Sequence, residues 1–386
     1  MEHGRDDHSW RISTVAGSMI DIVFADAATP ECRVAGVPAA ARAVHAVARA
    51  FPDGDVRCTI RAEPSWMPSA TCRAECARLA PHLPLALEND GVGDASPLRL
   101  RLDGAALVLA AATLPRGTSF ETVIAAGATA TPRPRAALRQ ASRAIVFATG
   151  KPGDGLVSRF VNRPISQRIS RVLLRIPGIT PLHATFGNAI LGLAMALCLL
   201  LGGKTGLLAG AVLFQAASIL DGVDGEMARA TFGTSDRGAM LDSLVDALTN
   251  LSFIMGVTIN LGLAGDRSAC TAGTAGLVML ASGLFLIGRR AKASGQPVNF
   301  DVIKVHFRKR RSRVMQWLIW FTMRDFFAAA GALLILFDLT PQALFAFATV
   351  TTGWLIVTVT VLLRTSRRRH PWTNDGERRY SGRPSA

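Results

Sequence analysis

From Leu182 onward the chain is a succession of apolar segments: Leu182–Leu201, Gly206–Ala228, Ala239–Leu263, Thr271–Gly288, Phe326–Phe337 with its flanks, and Ala343–Leu363. A bilayer core about 30 Å thick takes about 20 helical residues to cross. The segments therefore predict six transmembrane helices, the fifth reaching full length only if Trp317–Arg324 contributes to it. Only 18% of the 386 residues are charged, against about 25% in ordinary soluble domains, and the mean hydropathy is +0.29. The fold class expected is mainly α, a six-helix transmembrane bundle.

Charge divides the chain at residue 150. Residues 1–150 hold 16 Arg, no Lys and 15 acidic residues, whereas residues 151–386 hold 27 basic and 13 acidic ones. The net charge of +15 therefore belongs almost entirely to the second part, where it clusters. Arg289–Arg324 carries ten Lys/Arg, including Arg308–Arg311, and the tail from Arg364 carries seven. By the positive-inside rule both termini and this basic loop face the cytoplasm of a multi-pass plasma (inner) membrane protein. Trp317 and Trp320 suit either interface anchoring or ordinary packing. The basic run lacks a folded reader domain, so no nucleic-acid partner is expected.

The first 150 residues predict a small soluble α/β domain that precedes the bundle. Val15–Phe24 reads as a strand, Ala39–Phe51 as an amphipathic helix, Leu98–Leu109 as a strand pair and Ala136–Ala148 as a helix. No apolar run follows the charges of MEHGRDDHSWR, so no secretory signal is read there. Of the cysteines Cys32, Cys58, Cys72, Cys76, Cys198 and Cys270, only Cys72 and Cys76 are closely spaced, and no His completes a zinc pattern; they read as reduced thiols. After Phe24 no glycine occurs until Gly36, so the Gly-rich loop that cradles phosphate in nucleotide-binding α/β domains is missing. Residues 151–178 form a junction. Pro164 suits a helix first turn, and Arg168, Arg171 and Arg175 lie opposite Ile169, Val172, Leu173 and Ile176, as in a helix resting on an anionic phospholipid surface or in an amphipathic linker. Residues 179–364 would be the membrane domain and 365–386 a basic cytoplasmic tail.

Spans two and three carry carboxylates where apolar residues are expected: Asp221 and Asp224, then Asp242 and Asp246. Four uncompensated acids near a bilayer centre would oppose insertion by about 10 kcal/mol. Spacings of three and four residues put each pair on one helix face, and a short turn between antiparallel helices can bring the pairs together. An all-oxygen set of this kind suits Mg²⁺ or Mn²⁺, and four carboxylates suit two ions sharing ligands. Gly225 and Ala228 leave room for a phosphate or base, Arg229 is placed to hold a diphosphate, and Gly238 permits close approach. The small residues also fit plain helix contacts, and intramembrane Asp also serves cation-handling proteins.

The pattern D-x2-D-G-x2-A-R-x8-G-x3-D-x3-D, complete from Asp221 to Asp246, resembles the signature of the CDP-alcohol phosphotransferase (CDP-alcohol phosphatidyltransferase) family. The resemblance covers about Ile165–Arg364. It implies a six-helix membrane enzyme, usually a homodimer, that transfers a phospho-alcohol group from a CDP-linked lipid or polyol donor to an acceptor hydroxyl and releases CMP. It further implies that Asp221, Asp224, Asp242 and Asp246 ligate metal, that Asp246 is also the catalytic base, and that Asp224, Gly225, Ala228, Arg229 and Gly238 line the CDP site. Where many members have Thr-Pro-Asn, this chain has Thr180-Pro181-Leu182. Lys151/Asp154/Gly155 and Asn162/Arg163/Ser166, behind a nucleotidyltransferase-like half, are similar to bifunctional inositol-phosphate cytidylyltransferase/di-inositol-phosphate-phosphate synthase proteins. Arg33–Pro38 and the following helix resemble the stretch after the glycine-rich loop of sugar nucleotidyltransferases. With that loop absent and no lysine before residue 151, the half reads as a degenerate regulatory or dimerisation module. Arg289 and Arg290, ending span four, are the acceptor-binding candidates; the other basic residues of the loop suit lipid headgroups.

Overall fold

A computed structural model describes residues 19–53, 56–88, 99–115, 118–151, 154–293 and 324–367. Val15–Ser18 of the first predicted strand, most of the basic loop with Trp317 and Trp320, and most of the basic tail lie outside the described residues. The chain forms two compact units, each assembled from separate stretches.

The first unit comprises the N-terminal elements together with residues 158–187 and 219–242. Its centre is a four-stranded parallel sheet in the order β5-β4-β1-β6, from β1 (Met19–Val23), β4 (Arg57–Arg61), β5 (Leu85–Glu88) and β6 (Arg99–Asp103). Ile20 faces Cys58 on one side and Leu100 on the other. A two-stranded hairpin, β2 (Arg33–Val34) with β3 (Val37–Pro38), leads into α1 (Ala39–Ala50). Parallel strands need crossovers, which α1 and α2 (Ala70–Leu79) supply; α3 (Gly104–Thr113), α4 (Phe120–Gly127) and α5 (Pro134–Phe147) follow the last strand. Ile20, Ile22, Ile60 and Leu102 of the sheet bury against Val44 and Val47 of α1, Leu107 of α3 and Leu138 of α5.

The predicted strand pair at Leu98–Leu109 is half right. Arg99–Asp103 is a strand, but the chain turns to helix at Gly104 because the Asp103 side chain accepts a hydrogen bond from Ala106 N at 2.9 Å and so caps α3. The run AALVLAAAT is apolar all round, and periodicity does not separate a buried helix from a buried strand in such a run. Gly104 is needed at that point, since a Cβ there would run into the Phe24 ring.

Beyond a π-helical turn (Ser158–Asn162), α6 (Arg163–Leu173) carries Pro164 in its first turn, as expected. Its most buried residues are serines, Ser166 and Ser170 at 1% and 0% exposed; of the predicted apolar face, Ile169 and Leu173 pack beside them against a hydrophobic cluster, while Val172, and Ile176 just past the helix, stay exposed.

Among the described residues, five helices are long and apolar enough to cross a membrane, with spans at Pro181–Leu201, Gly203–Ala230, Asp236–Leu263, Arg267–Ile287 and Thr340–Thr360. They belong to α7 (Pro181–Leu201), α8 (Gly203–Ala230), α9 (Asp236–Leu263), α10 (Arg267–Ala293) and α12 (Thr340–Arg367). The segment expected as span five is α11 (Arg324–Leu336), 13 residues, or about 20 Å at 1.5 Å per residue. The stretch that would lengthen it lies outside the described residues.

The second unit takes residues 188–218 and 243 onward, with 155–157. Aromatic stacking anchors it: Phe214 of α8 lies on Phe253 of α9 with centroids 3.9 Å apart, and Phe327 of α11 meets both edge-on. Small residues bring the helices together where no hydrophobic driving force acts between them. Gly283 of α10 lies against Trp354 of α12, and Gly276 against Phe347. Asn260 donates to the carbonyls of Leu199 and Gly203 at 2.6 and 3.1 Å.

Candidate active site

The acidic residues sit where α8 ends and α9 begins. Asp221 and Asp224 lie on the last turns of α8, and Asp242 and Asp246 on the second and third turns of α9. Asp221 and Asp242 offer carboxylate oxygens within 4.8 Å of one another, a pair able to hold a cation, and Asp246 lies one turn further along α9. Asp242 also lies within hydrogen-bonding reach of both Asp221 and Asp224. Asp224 is 6% exposed and accepts a 2.6 Å hydrogen bond from the Thr185 hydroxyl of α7. Carboxylates this close repel unless a proton or cation lies between them. The donors are all oxygen, which fits a hard divalent ion and not a thiophilic one.

Arg229, in the last turn of α8, donates through Nε to the Thr149 carbonyl at 3.0 Å, and its Nη1 side lies over Gly225, where a Cβ would come within 3.0 Å of it. Gly225 is thus the floor on which the guanidinium rests. Ala228 is half-buried beside it. Gly238 occupies the first turn of α9, where its N–H donates to Ser235 Oγ at 3.1 Å. Arg289 is exposed on the late turns of α10, and the Arg290 side chain lies outside the described residues.

Sequence reasoning singled out Asp154, Arg163 and Ser166 but missed the polar network that joins them to Glu226. Glu226, fully buried on α8, accepts from Arg163 Nη1 (2.8 Å), Ser166 Oγ (2.7 Å) and Ser170 Oγ (2.6 Å), all on α6. Arg163 also holds Asp154 bidentately, Nε to Oδ2 at 2.7 Å and Nη2 to Oδ1 at 3.1 Å. Burial alone would lower the Arg163 pKa, but hydrogen bonding to Asp154 and Glu226 outweighs it and raises the net value. Burial likewise works to raise Asp154, and Arg163 with the Lys151 N–H bring it below the usual carboxylate value. The signal was present as Arg163, Ser166 and Ser170 on one helical face and a lone Glu in an apolar span. Thr185 was missed as well.

In the N-terminal elements, the sheet edge that normally takes ligands is closed by its own acids. Asp26, just past β1, accepts from the backbone N–H groups of Ala28 (2.9 Å) and Thr29 (2.7 Å) and pairs with Arg135 at 3.2 Å. Burial nudges its pKa up, and those partners bring the net value down. Asp103, ending β6, is taken up by Ala106 N and by Thr131 N at 2.9 Å. Backbone N–H groups of this kind are what a phosphate would use; here a carboxylate of the chain uses them.

Comparison with known proteins bears on the same region. Residues 179–362 match the family described as CDP-alcohol phosphatidyltransferase. The chain is 42% identical over 118 residues to a "Bifunctional IPC transferase and DIPP synthase" of Thermococcus kodakarensis, covering 30% of this chain and 26% of that one. Proteins of the same description from Archaeoglobus fulgidus (39% over 118 residues, 30% and 23%) and Aquifex aeolicus (38% over 109 residues, 28% and 24%) are also similar. The matches span about a quarter of the length of these curated relatives. The matched family segment runs from just before α7 into α12 and contains all four aspartates, so the similarity to the CDP-alcohol phosphatidyltransferase family lies in the stretch that carries the site.

Proposed function

We propose that the protein is a membrane-embedded CDP-alcohol phosphotransferase that moves a phosphatidyl or phospho-inositol type group from a CDP-linked donor to an acceptor hydroxyl and releases CMP. One observation carries the reading: the segment that matches the family holds, at the α8–α9 junction, Asp221 and Asp242 with carboxylate oxygens within 4.8 Å of one another. Relatives described as IPC transferases and DIPP synthases favour a polyol phosphate among the substrates.

In this mechanism Asp221, Asp224, Asp242 and Asp246 would hold Mg²⁺ or Mn²⁺, as two ions, which when bound would supply positive charge to the diphosphate and to the departing CMP. Thr185 fixes the Asp224 carboxylate through its hydroxyl. Arg229, steered by Thr149 and resting over Gly225, clamps the diphosphate; Ala228 and Gly238 keep the approach open. Asp246 takes the proton from the acceptor hydroxyl. The resulting oxygen bonds to the phosphorus distal to cytidine, the bond from that phosphorus to the CMP oxygen breaks, and CMP departs with the electron pair. Arg289 and Arg290 bind the acceptor from the cytoplasmic side.

The same reading places the chain in the plasma membrane as a homodimer with both termini cytoplasmic. The domains are 1–150, the junction 151–178, the membrane domain 179–364 and the tail 365–386. The exposed Val172 and Ile176, with Arg168 and Arg175, suit α6 to an anionic lipid surface. The engagement of Asp26 and Asp103 by backbone N–H groups supports a non-catalytic N-terminal domain.

The test is CMP release by the purified full chain in lipid with Mg²⁺, CDP-diacylglycerol or CDP-inositol, and a panel of hydroxyl acceptors. Release that Asp246→Asn abolishes in folded protein is expected. Ion flux with no CMP from any pair would instead favour a cation-handling protein.

A further inference from the structure

The turn that joins the two halves of the carboxylate motif runs from Thr231 to Ser235, between α8 and α9. Its geometry is unusual for its sequence. α8 ends with a 2.9 Å bond from Gly233 N to the Ala228 carbonyl, which places Phe232 at the left-handed position with φ +56°. That position is normally glycine, because a Cβ is unfavourable there. The glycine of this turn comes one residue later. Something outside the turn has to hold Phe232 in place.

The holding groups come from the N-terminal α/β elements. Three successive carbonyls at the end of α8, those of Ala230, Thr231 and Phe232, accept from arginine side chains of α1 and α2. Arg42, 7% exposed, donates Nη2 to Ala230 O at 2.6 Å and anchors itself on the β2–β3 hairpin through Val34 O (2.6 Å) and Ala35 O (3.1 Å). Arg78 donates Nη2 to Thr231 O (2.8 Å) and Nη1 to Phe232 O (3.2 Å), and is itself braced by Glu75. The Phe232 ring packs on His45 at 4.4 Å, with the Arg42 guanidinium 5.3 Å from its centroid. Gly36, at φ +90°, allows the hairpin this close: a Cβ there would meet Leu174 at 2.8 Å and Thr231 at 2.9 Å. Helix C-terminal carbonyls carry partial negative charge and lack intrahelical donors, so two guanidinium groups are the chemical match for them.

We propose that Arg42 and Arg78 are positioning residues for the nucleotide site: by clamping the carbonyls of residues 230–232 they set the α8–α9 turn and, one residue upstream, the reach of Arg229. The proposal rests on the phosphotransferase reading above and gives the N-terminal domain a task in it. A domain whose own sheet edge is closed by Asp26 and Asp103 still serves the site by gripping the motif from outside. Adhesion is supplied by apolar contact, with Ala35 and Val146 packed in one cluster with Val223, Met227 and Ala230. The polar bonds do something more specific: they go to the three backbone carbonyls that directly follow the motif arginine, and Thr149 of the same N-terminal stretch holds that arginine by Nε.

The experiment uses the full chain in lipid and measures initial CMP release while the CDP donor and the acceptor are varied separately. Arg78→Ala is the main variant, because Arg78 is 40% exposed and its loss is compatible with folding; Arg42→Lys is the second. The expected result for Arg78→Ala is a rise in donor KM of about 5- to 10-fold. Acceptor KM and thermal midpoint should stay close to wild type, and Arg78→Lys should recover part of the donor KM. A donor KM unchanged in both Arg78→Ala and Arg42→Lys overturns the proposal while leaving the phosphotransferase reading intact. Equal losses toward donor and acceptor that track the fraction of folded protein also overturn it. A wild-type chain that releases no CMP from any pair brings down the phosphotransferase reading itself, and the proposal with it.

Discussion

Arg163 and Glu226, 63 positions apart in the chain, form an ion pair with Nη1 2.8 Å from Oε1, and the glutamate side of it is fully buried. The pair ties α6 to the helix that carries Asp221 and Asp224. Two serine hydroxyls complete the glutamate's shell. Removing one partner of such a pair leaves a buried charge uncompensated, at about 3–5 kcal/mol. Arg163→Ala should therefore lower the thermal midpoint of the purified protein sharply, and Glu226→Gln, which still accepts from the serines, should lower it less. Equal midpoints for Arg163→Ala and wild type would show the pair to be dispensable.

Thr185 makes a sharper test of the carboxylate group than the aspartates themselves, because it acts through its hydroxyl, which bonds to Asp224 Oδ2 and to the Pro181 carbonyl of its own helix. Loss of a hydrogen bond that orients a metal ligand typically weakens metal binding about 10- to 100-fold. Thr185→Val, nearly the same shape, should weaken Mn²⁺ binding by about tenfold, and Asp242→Asn should weaken it further. Titration of Mn²⁺ followed by electron paramagnetic resonance reads this without turnover. Wild-type affinity in both variants would remove the cluster from metal binding.

His45 should make the N-terminal elements sensitive to mild acid. Burial pushes its pKa below the ordinary histidine value, the Leu79 carbonyl works against that, and Arg49, Arg42 and Arg78 add to the lowering. The folded form thus prefers the neutral ring, while the unfolded chain takes up a proton near pH 6.5. The contribution is complete above about pH 6.5 and is lost as pH falls from there through the folded pKa. Thermal midpoints of wild type and His45→Gln should converge as pH is lowered from 8 to 5.5. Parallel curves over that range would disprove the assignment.

Gly104 predicts a steric effect. It starts α3 directly against the Phe24 ring, and an added Cβ has no room. Overpacking of this kind costs about 1–3 kcal/mol, which exceeds what alanine returns at the first position of a helix. Gly104→Ala should destabilise the sheet domain in a urea titration followed by tryptophan fluorescence, for which the buried Trp66 is a reporter. A midpoint at or above wild type would mean that Phe24 simply moves aside.

The membrane helices and the motif were legible because each rests on local periodicity or spacing. α7 was placed to within one residue at its start, and Asp221 to Asp246 needed only the three- and four-residue rule. The Leu98–Leu109 error and the unplaced strands β4 and β5 share one cause. Runs of four or five residues have no period long enough to distinguish strand from helix, and Asp103 acts as a cap only once the chain has turned. Glu226 was hidden for a different reason. Its partners lie 56 to 63 positions upstream, and no property of either segment alone says that they meet. The arginines and isoleucines of α6 drew attention by their chemistry, while its most buried positions, next to the packed Ile169 and Leu173, are two serines.

The bond from Arg42 to Ala230 spans 188 positions, and this has a bearing on biogenesis. Arg42 leaves the ribosome long before its partner is made, and the Ala230 carbonyl is presented only after α7 and α8 have been threaded into the bilayer. Closing so long a loop adds little entropic penalty over a moderate one, so timing is the tighter constraint. A sheet domain that folds as it emerges therefore keeps its guanidinium groups in water until the second span delivers the helix end that they receive.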